Sequence, residues 1–272
     1  MPEIAEVRVV ANTLKKQILK RKIEKVTVLY DGIIVDNKDA FVGELTGRTI
    51  EDITTYGKWI IFNLGGLSLL SHLRMEGKYF YKKSSDDVVK HEHIIFSLDN
   101  GMDLRYADVR KFGRMQVVDS DRVFETECIK KLGYEPDDER LTSEYLLGKL
   151  SKLSGPIKSA LLDQTIINGL GNIYANEVLF KAGINPLKEA SKITKKEAQY
   201  IIDTSREIVK RSYELGGTTI RSYTSSLGVI GHYQDELMVQ SREGEPCKVC
   251  DNPIKRIKVD GRSTFFCENC QK

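Results

Sequence analysis

No stretch of this sequence stays apolar long enough to span a bilayer. The most apolar segment, Trp59 to Leu73, is interrupted by Asn63, Ser68, Ser71 and His72. The start, Met1-Pro2-Glu3-Ile4-Ala5-Glu6, lacks the basic patch and apolar block of a secretory leader. A cytoplasmic protein is therefore expected. A large surplus of one charge is also missing: 42 Lys and Arg against 39 Asp and Glu leave +3. That balance permits nucleic-acid binding without requiring it. There is no repeat of fixed period and no low-complexity tract. Cysteines are few, and they are not spread as a disulfide framework. Of five, four fall in the last 26 residues and Cys128 stands alone, which points to metal.

The chain of 272 residues is long enough for one large domain or two ordinary ones. With 40% hydrophobic residues it can bury a core of normal size, and with 30% charged residues most of its surface is solvated. Ile4, Val7, Val10, Ala11, Leu14 and Ile18 recur at helical spacing, so residues 3–19 read as an amphipathic helix. Pro2 stands at its start, where a missing N–H costs nothing. The period then changes. Lys25–Tyr30, Lys58–Leu64, Leu67–Leu73, His93–Leu98 and Arg114–Val118 are short and rich in branched and aromatic residues, with Gly, Asp and Asn between them. They predict a mostly antiparallel β-sandwich with the first helix packed on it. Near residue 132 the character changes again. Leu132 to Glu139 reads as a linker, followed by helical patterns at about 143–151, 156–163, 172–182 and 194–214.

Cys247-x2-Cys250-x16-Cys267-x2-Cys270 has the spacing of a zinc site built from two knuckles. Four thiolates leave no open coordination position, so the one zinc expected is structural. The small hairpin between the knuckles cannot build its own core, and the metal supplies its folding energy. Its tip, Lys255 to Arg262, is basic and suits phosphates, although a charge run is more often only a solvated face.

Methionine before proline is commonly removed, which would leave Pro2 as a secondary amine. A terminal amine titrates near about 8, so a useful fraction is neutral and nucleophilic at physiological pH. Glu3 and Glu6 on the first turn could shuttle protons. The same residues also describe an ordinary helix start, with acids near the positive dipole end. On these residues alone the plain helix start is the better reading.

Distant pieces taken together point further. Met1-Pro2-Glu3-Ile4-Ala5-Glu6-Val7, Tyr56-Gly57-Lys58, His72-Leu73-Arg74-Met75-Glu76-Gly77 and Asp108-Val109-Arg110-Lys111-Phe112-Gly113 occur in that order. They are followed by Leu161-Leu162-Asp163-Gln164, Gly169-Leu170-Gly171-Asn172-Ile173-Tyr174-Ala175-Asn176-Glu177, and an ending around Arg242 to Cys247 and Gly261 to Cys267. The set resembles the bacterial formamidopyrimidine-DNA glycosylase and endonuclease VIII family across the whole chain. The resemblance implies an α+β protein of two domains, arranged as residues 1–132 (catalytic β-sandwich), 133–142 (linker), 143–243 (helix–two-turns–helix) and 244–272 (zinc finger).

It also implies roles. Pro2 would be the nucleophile, Glu3 the general acid/base and Glu6 its support in proton transfer. Lys58 would contact the phosphate beside the lesion and assist at the sugar. His72, Asn172 and Arg262 would bind phosphates. Met75, Arg110 and Phe112 would fill the hole left by an everted base. These types make physical sense: a base must leave the stack to be attacked, apolar wedges fill the gap, and a helix start after Gly-Leu-Gly is a natural phosphate site. Singly, Met75 and His72 read as core, and Gly169-x-Gly171 as a helix-start turn; the ordered set decides otherwise.

Two positions depart from the family pattern: Ala5 stands where Pro is usual, and Arg8 where an acid is usual. Gly216 to Tyr223 and Gly231-His232-Tyr233-Gln234 look like the purine-specific branch, and the loop from Thr224 to Ile230 could close over an everted base. The resemblance thus implies a bacterial cytoplasmic enzyme, acting on the nucleoid as a monomer without membrane contact. It would excise oxidised purines from duplex DNA and cleave the strand at abasic sites by β,δ-elimination. The alternatives are an endonuclease VIII-like enzyme for oxidised pyrimidines, an abasic-site lyase, a catalytically silent DNA-binding protein on the same scaffold, and a zinc-ribbon protein that binds RNA or a protein partner.

Overall fold

The computed structural model describes residues 1–218 and 230–272. The readings above on Thr219 to Tyr223, and on all but the last residue of the 224–230 loop, lie outside the described residues. The chain divides into two compact units. The first comprises residues 1–130 and 216–231, and the second residues 131–215 and 232–272.

The first unit opens with helix α1, Ile4–Ile18, whose buried stripe is the one the sequence predicts. Strands β1 (Ile23–Val28), β2 (Asp52–Tyr56), β3 (Trp59–Asn63), β4 (Leu67–His72), β5 (Lys78–Lys83), β6 (Glu92–Leu98), β7 (Met102–Ala107) and β8 (Arg114–Asp119) follow, with helix α2 at Lys38–Leu45 between the first two. They form two four-stranded antiparallel sheets, ordered β1-β6-β7-β5 and β2-β3-β4-β8. The α1 stripe joins Ile53, Ile60, Phe62 and Leu69 of one sheet and Tyr79, Ile94, Phe96, Leu104 and Tyr106 of the other in a single core. Helix α1 packs on β2 and β3.

The five predicted strands are present, and the structure adds β2, β5 and β7 and helix α2 to them. Each addition has a local reason. In β2 only Ile53 is deeply buried, and β5 is a lysine-flanked edge strand. In β7 the polar Asp103 and Arg105 are buried. The Arg105 guanidinium donates to the Asp103 and Glu92 carboxylates and to the carbonyls of Lys83, Asp86 and Asp87. Burial of so many charges is tolerable only with this full set of partners. Helix α2 buries only Phe41 and Leu45 and starts at Asn37, whose side chain accepts from Asp39 N and Ala40 N.

The second unit holds helices α3 (Ser143–Leu150), α4 (Ile157–Leu162), α5 (Asn172–Lys181) and α6 (Lys195–Glu214), then hairpin strands β9 (Lys255–Val259) and β10 (Arg262–Phe266). Thr142 caps α3, and Thr194 with Glu197 forms a capping box on α6. Residues 133–142 contribute no named helix or strand, and Arg206 of α6 donates to the carbonyls of Pro136 and Asp138 within them. The β9–β10 turn is Asp260-Gly261, both with positive φ (46° and 75°), as a tight two-residue hairpin requires. Among the described residues no helix is long and apolar enough to cross a membrane.

Candidate active site and metal centre

Pro2, Glu3 and Glu6 are buried where α1 begins. Glu6 Oε2 accepts from the backbone N–H of Glu3 at 2.8 Å, so the helix N-terminus is closed by its own third residue. The other oxygen, Oε1, accepts from Thr218 N at 2.8 Å and Thr218 Oγ1 at 2.9 Å. A Cβ at the preceding Gly217 would lie 3.0 Å from the same carboxylate. Both oxygens of Glu6 are thus engaged.

Burial depresses the basicity of the chain-terminal amine, here that of Met1, and the Lys58 charge depresses it further; Glu3, Glu6 and Glu76 oppose both. Removal of Met1 would make the nitrogen of the buried Pro2, one residue further in, the chain-terminal amine. Lys58 is placed by hairpin geometry. Tyr56 pairs with Trp59, leaving Gly57-Lys58 as a two-residue loop with Gly57 at φ 57°. Despite this tip position Lys58 is only 5% exposed.

Opposite Trp59 on β4 lies His72, with ring centroids 4.9 Å apart and edge-on. Its Nδ1 accepts from Arg74 N at 3.0 Å, so the ring proton sits on Nε2. Burial, helped by the Arg74 and Lys58 charges, holds its pKa down at about 3. His72 is therefore a neutral hydrogen-bond donor and not a cation.

Two turns carry the plug candidates. Leu73 to Gly77 is closed by Gly77 N donating to Leu73 O at 2.9 Å, and Met75 stands 37% exposed on it. In the second turn the Asp108 carboxylate accepts from the backbone of Arg110 (3.0 Å), Phe112 (2.8 Å) and Gly113 (2.8 Å). The carbonyl of Asp108 lies 2.8 Å from His93 Nε2. Phe112 is 50% exposed, and the Arg110 guanidinium stacks 4.7 Å over its ring. Asp108 organises this turn and was not singled out from the sequence. Its signal is the Asp followed at two and four residues by donors it can reach, an Asx-type turn.

In the second unit Asn172 is the first residue of α5, after Gly171 as N-cap. The preceding turn is held by Gln164, whose Nε2 donates to Leu162 O and Leu170 O and whose Oε1 accepts from Gly169 N. Asn172 Nδ2 donates to Ser263 O at 3.0 Å, and its Oδ1 has no partner among the described residues. Buried Lys158 donates to the same Ser263 carbonyl at 3.0 Å and to Thr264 Oγ1 at 2.7 Å. These bonds bring Asn172 beside exposed Arg262 at the start of β10. Lys158 is a further residue that local sequence patterns do not pick out, because it acts on a partner distant in the chain; the bond from Thr218, within the Gly216 to Tyr223 motif, to Glu6 is equally non-local.

The sulfurs of Cys247, Cys250, Cys267 and Cys270 all lie within 4.8 Å of one another, with Cys247–Cys270 at 3.9 Å and Cys250–Cys267 at 3.4 Å. A tetrahedron with Zn–S bonds of about 2.3 Å has edges of about 3.8 Å, so the four thiols fit one zinc. Phe180, Val239, Ile254 and Phe265 pack around them, with Cys247 and Cys267 buried and Cys250 and Cys270 half-buried, and four thiolates leave no place for a fifth ligand. The zinc is structural.

Comparison with known proteins agrees along the whole chain. The formamidopyrimidine-DNA glycosylase N-terminal domain matches residues 1–115, the H2TH domain of the same enzymes matches 132–224, and the zinc finger found in FPG and IleRS matches 244–272. The formamidopyrimidine-DNA glycosylase of Lactobacillus delbrueckii subsp. bulgaricus is 41% identical over 272 residues, covering all of both chains. Among solved structures, a Lactococcus lactis FPG mutant in complex with Fapy-dG-containing DNA superposes at a TM-score of 0.94, with 39% identity and full coverage of both chains. The Lactococcus lactis Fpg with abasic-site DNA superposes at 0.93, with 38% identity and 99% coverage of each chain. The chain belongs to the formamidopyrimidine-DNA glycosylase family.

Proposed function

We propose that this chain is a bifunctional DNA glycosylase and abasic-site lyase that excises oxidised purines, 8-oxoguanine and formamidopyrimidines, from duplex DNA. The observation that carries the reading is the clustering of buried Glu3, Glu6 and Lys58 about the chain-terminal amine, whose charge all three influence. A neutral secondary amine at Pro2 attacks C1′ of the everted nucleotide, and the base leaves with the C1′–N bond pair. Glu3 protonates the sugar ring oxygen as the ring opens, giving an iminium between Pro2 and C1′. Loss of a C2′ proton expels the 3′ phosphate, a second elimination expels the 5′ phosphate, and water releases the amine.

Lys58 and the neutral Nε2–H of His72 hold phosphates in the first unit, and Asn172 and Arg262 hold phosphates in the second. Met75, Arg110 and Phe112 occupy the vacated stack, Arg110 donating to the orphaned partner base. In this reading residues 1–132 carry the chemistry, 133–142 link, and 143–243 with 244–272 bind DNA, a monomer acting in the bacterial cytoplasm on the nucleoid. Borohydride trapping on a duplex containing 8-oxoguanine tests it. Chains lacking Met1 should give a covalent adduct, and Pro2→Ala or Met1-retaining chains should not. Trapping by a form shown by mass spectrometry to retain Met1 would overturn the nucleophile assignment.

A further inference from the structure

Tyr106 lies fully buried on β7, paired with Tyr79 of β5 and Ile94 of β6. Its ring is held edge-on by Tyr79, 5.3 Å between centroids, and Tyr79 is itself anchored by donation to Ser71 Oγ at 2.7 Å. The hydroxyl end of Tyr106 meets both turns that carry the plug residues. A Cβ built on Gly77 would sit 2.2 Å from the hydroxyl oxygen, and one built on Gly113 would sit 1.9 Å from it. Neither glycine has a positive φ. At Gly113 the nearest atoms all belong to this phenol, and at Gly77 the phenol is joined by the Leu73 carbonyl at 2.6 Å; close approach and not a positive φ keeps both positions glycine. Gly77 closes the Met75 turn, and Gly113 closes the Asp108-organised turn of Arg110 and Phe112.

We infer that the Tyr106 hydroxyl is the common seat of the two turns, a positioning residue that fixes Met75 relative to Arg110 and Phe112 so that the three enter the stack as one body. This rests on the plug reading of those three residues. Interiors are close-packed and respond to the loss of a single atom, so removing the hydroxyl lets each turn settle independently without touching the sugar chemistry.

The test is Tyr106→Phe, measured by thermal unfolding and by single-turnover rates on duplex 8-oxoguanine and on an abasic-site duplex. The expected result is a folded protein whose excision of the paired lesion falls about tenfold, on the order of 1.4 kcal/mol of flipping cost, with a several-fold smaller loss at the abasic site. A double-mutant cycle adds a readout that general destabilisation would not move. Met75→Ala and Phe112→Ala should be non-additive with Tyr106 present and additive with Phe there. If Tyr106→Phe fails to fold, Gly113→Ala, which pushes one turn off the hydroxyl, should produce the same selective loss. Equal losses on the two substrates, or an unchanged cycle, would overturn the inference. If Met75→Ala and Phe112→Ala themselves lower both activities equally in the Tyr106 background, the plug reading fails instead.

Discussion

The Glu6 carboxylate and Thr218 are bonded twice, through the backbone N–H at 2.8 Å and the hydroxyl at 2.9 Å, although 212 residues separate them. Both belong to the first compact unit. One carboxylate thus closes the helix that presents Pro2 and also anchors the chain where it returns from the second unit. With both oxygens accepting, the Glu6 carboxylate holds these two segments together.

Glu6→Ala should orphan the buried N–H groups of Glu3 and Thr218, at roughly 1–3 kcal/mol per group. Thr218→Val removes only the hydroxyl bond and should cost about 0.5–1.5 kcal/mol. Urea unfolding of the three proteins checks this ordering. A Glu6→Ala chain as stable as the parent would show that the anchor is not needed.

Base excision should separate from recognition. Phe112→Ala or Met75→Ala should strongly cut single-turnover excision of 8-oxoguanine from a duplex and spare much of the cleavage at an abasic site, which has no base to extrude. Glu3→Gln should impair excision even of an everted base, because ring opening needs the acid. Rates on both duplexes decide. Core residues in place of a plug would give the same fold loss on each.

Acid should destabilise the protein through His72. Its folded pKa, about 3, lies below the usual value of 6.5, so between those values the unfolded chain binds the extra proton. Stability is full above about pH 6.5 and falls as pH drops toward 3, by on the order of 4 kcal/mol at the acid end from this group. His72→Gln should flatten that part of the profile. Denaturant unfolding at pH 7 and pH 4 checks it, and parallel losses in the two proteins would refute it. DNA binding should gain nothing from His72 on acidification through pH 6.5, since the ring stays neutral.

Cys267→Ser should release zinc and unfold the hairpin that carries Arg262. Arg262→Ala should keep the metal, weaken binding across sequences alike, and reduce the salt slope of binding by about 1. Metal content and titrations at several salt concentrations distinguish the two. Retention of one zinc per chain and unchanged affinity in Cys267→Ser would refute the four-thiolate centre.

The sequence by itself determined the elements whose pattern is local. The α1 stripe, the branched and aromatic strands, the four helices of the second unit and the two cysteine knuckles each repeat at a period or spacing that folds the same way in many surroundings. The ordered motifs then named the family and its candidate residues, Pro2, Glu3 and Lys58 among them. Tertiary structure alone decided what depends on partners far along the chain. The burial of Arg105 in strand β7 is possible because it meets Glu92 and Asp103. The neutrality of His72 comes from burial against Trp59. Glu6 is an anchor because Thr218 returns to it, and the Tyr106 hydroxyl lies where a side chain would go at both Gly77 and Gly113. Burial and close approach are properties of the assembled core, and no window of neighbouring residues contains them.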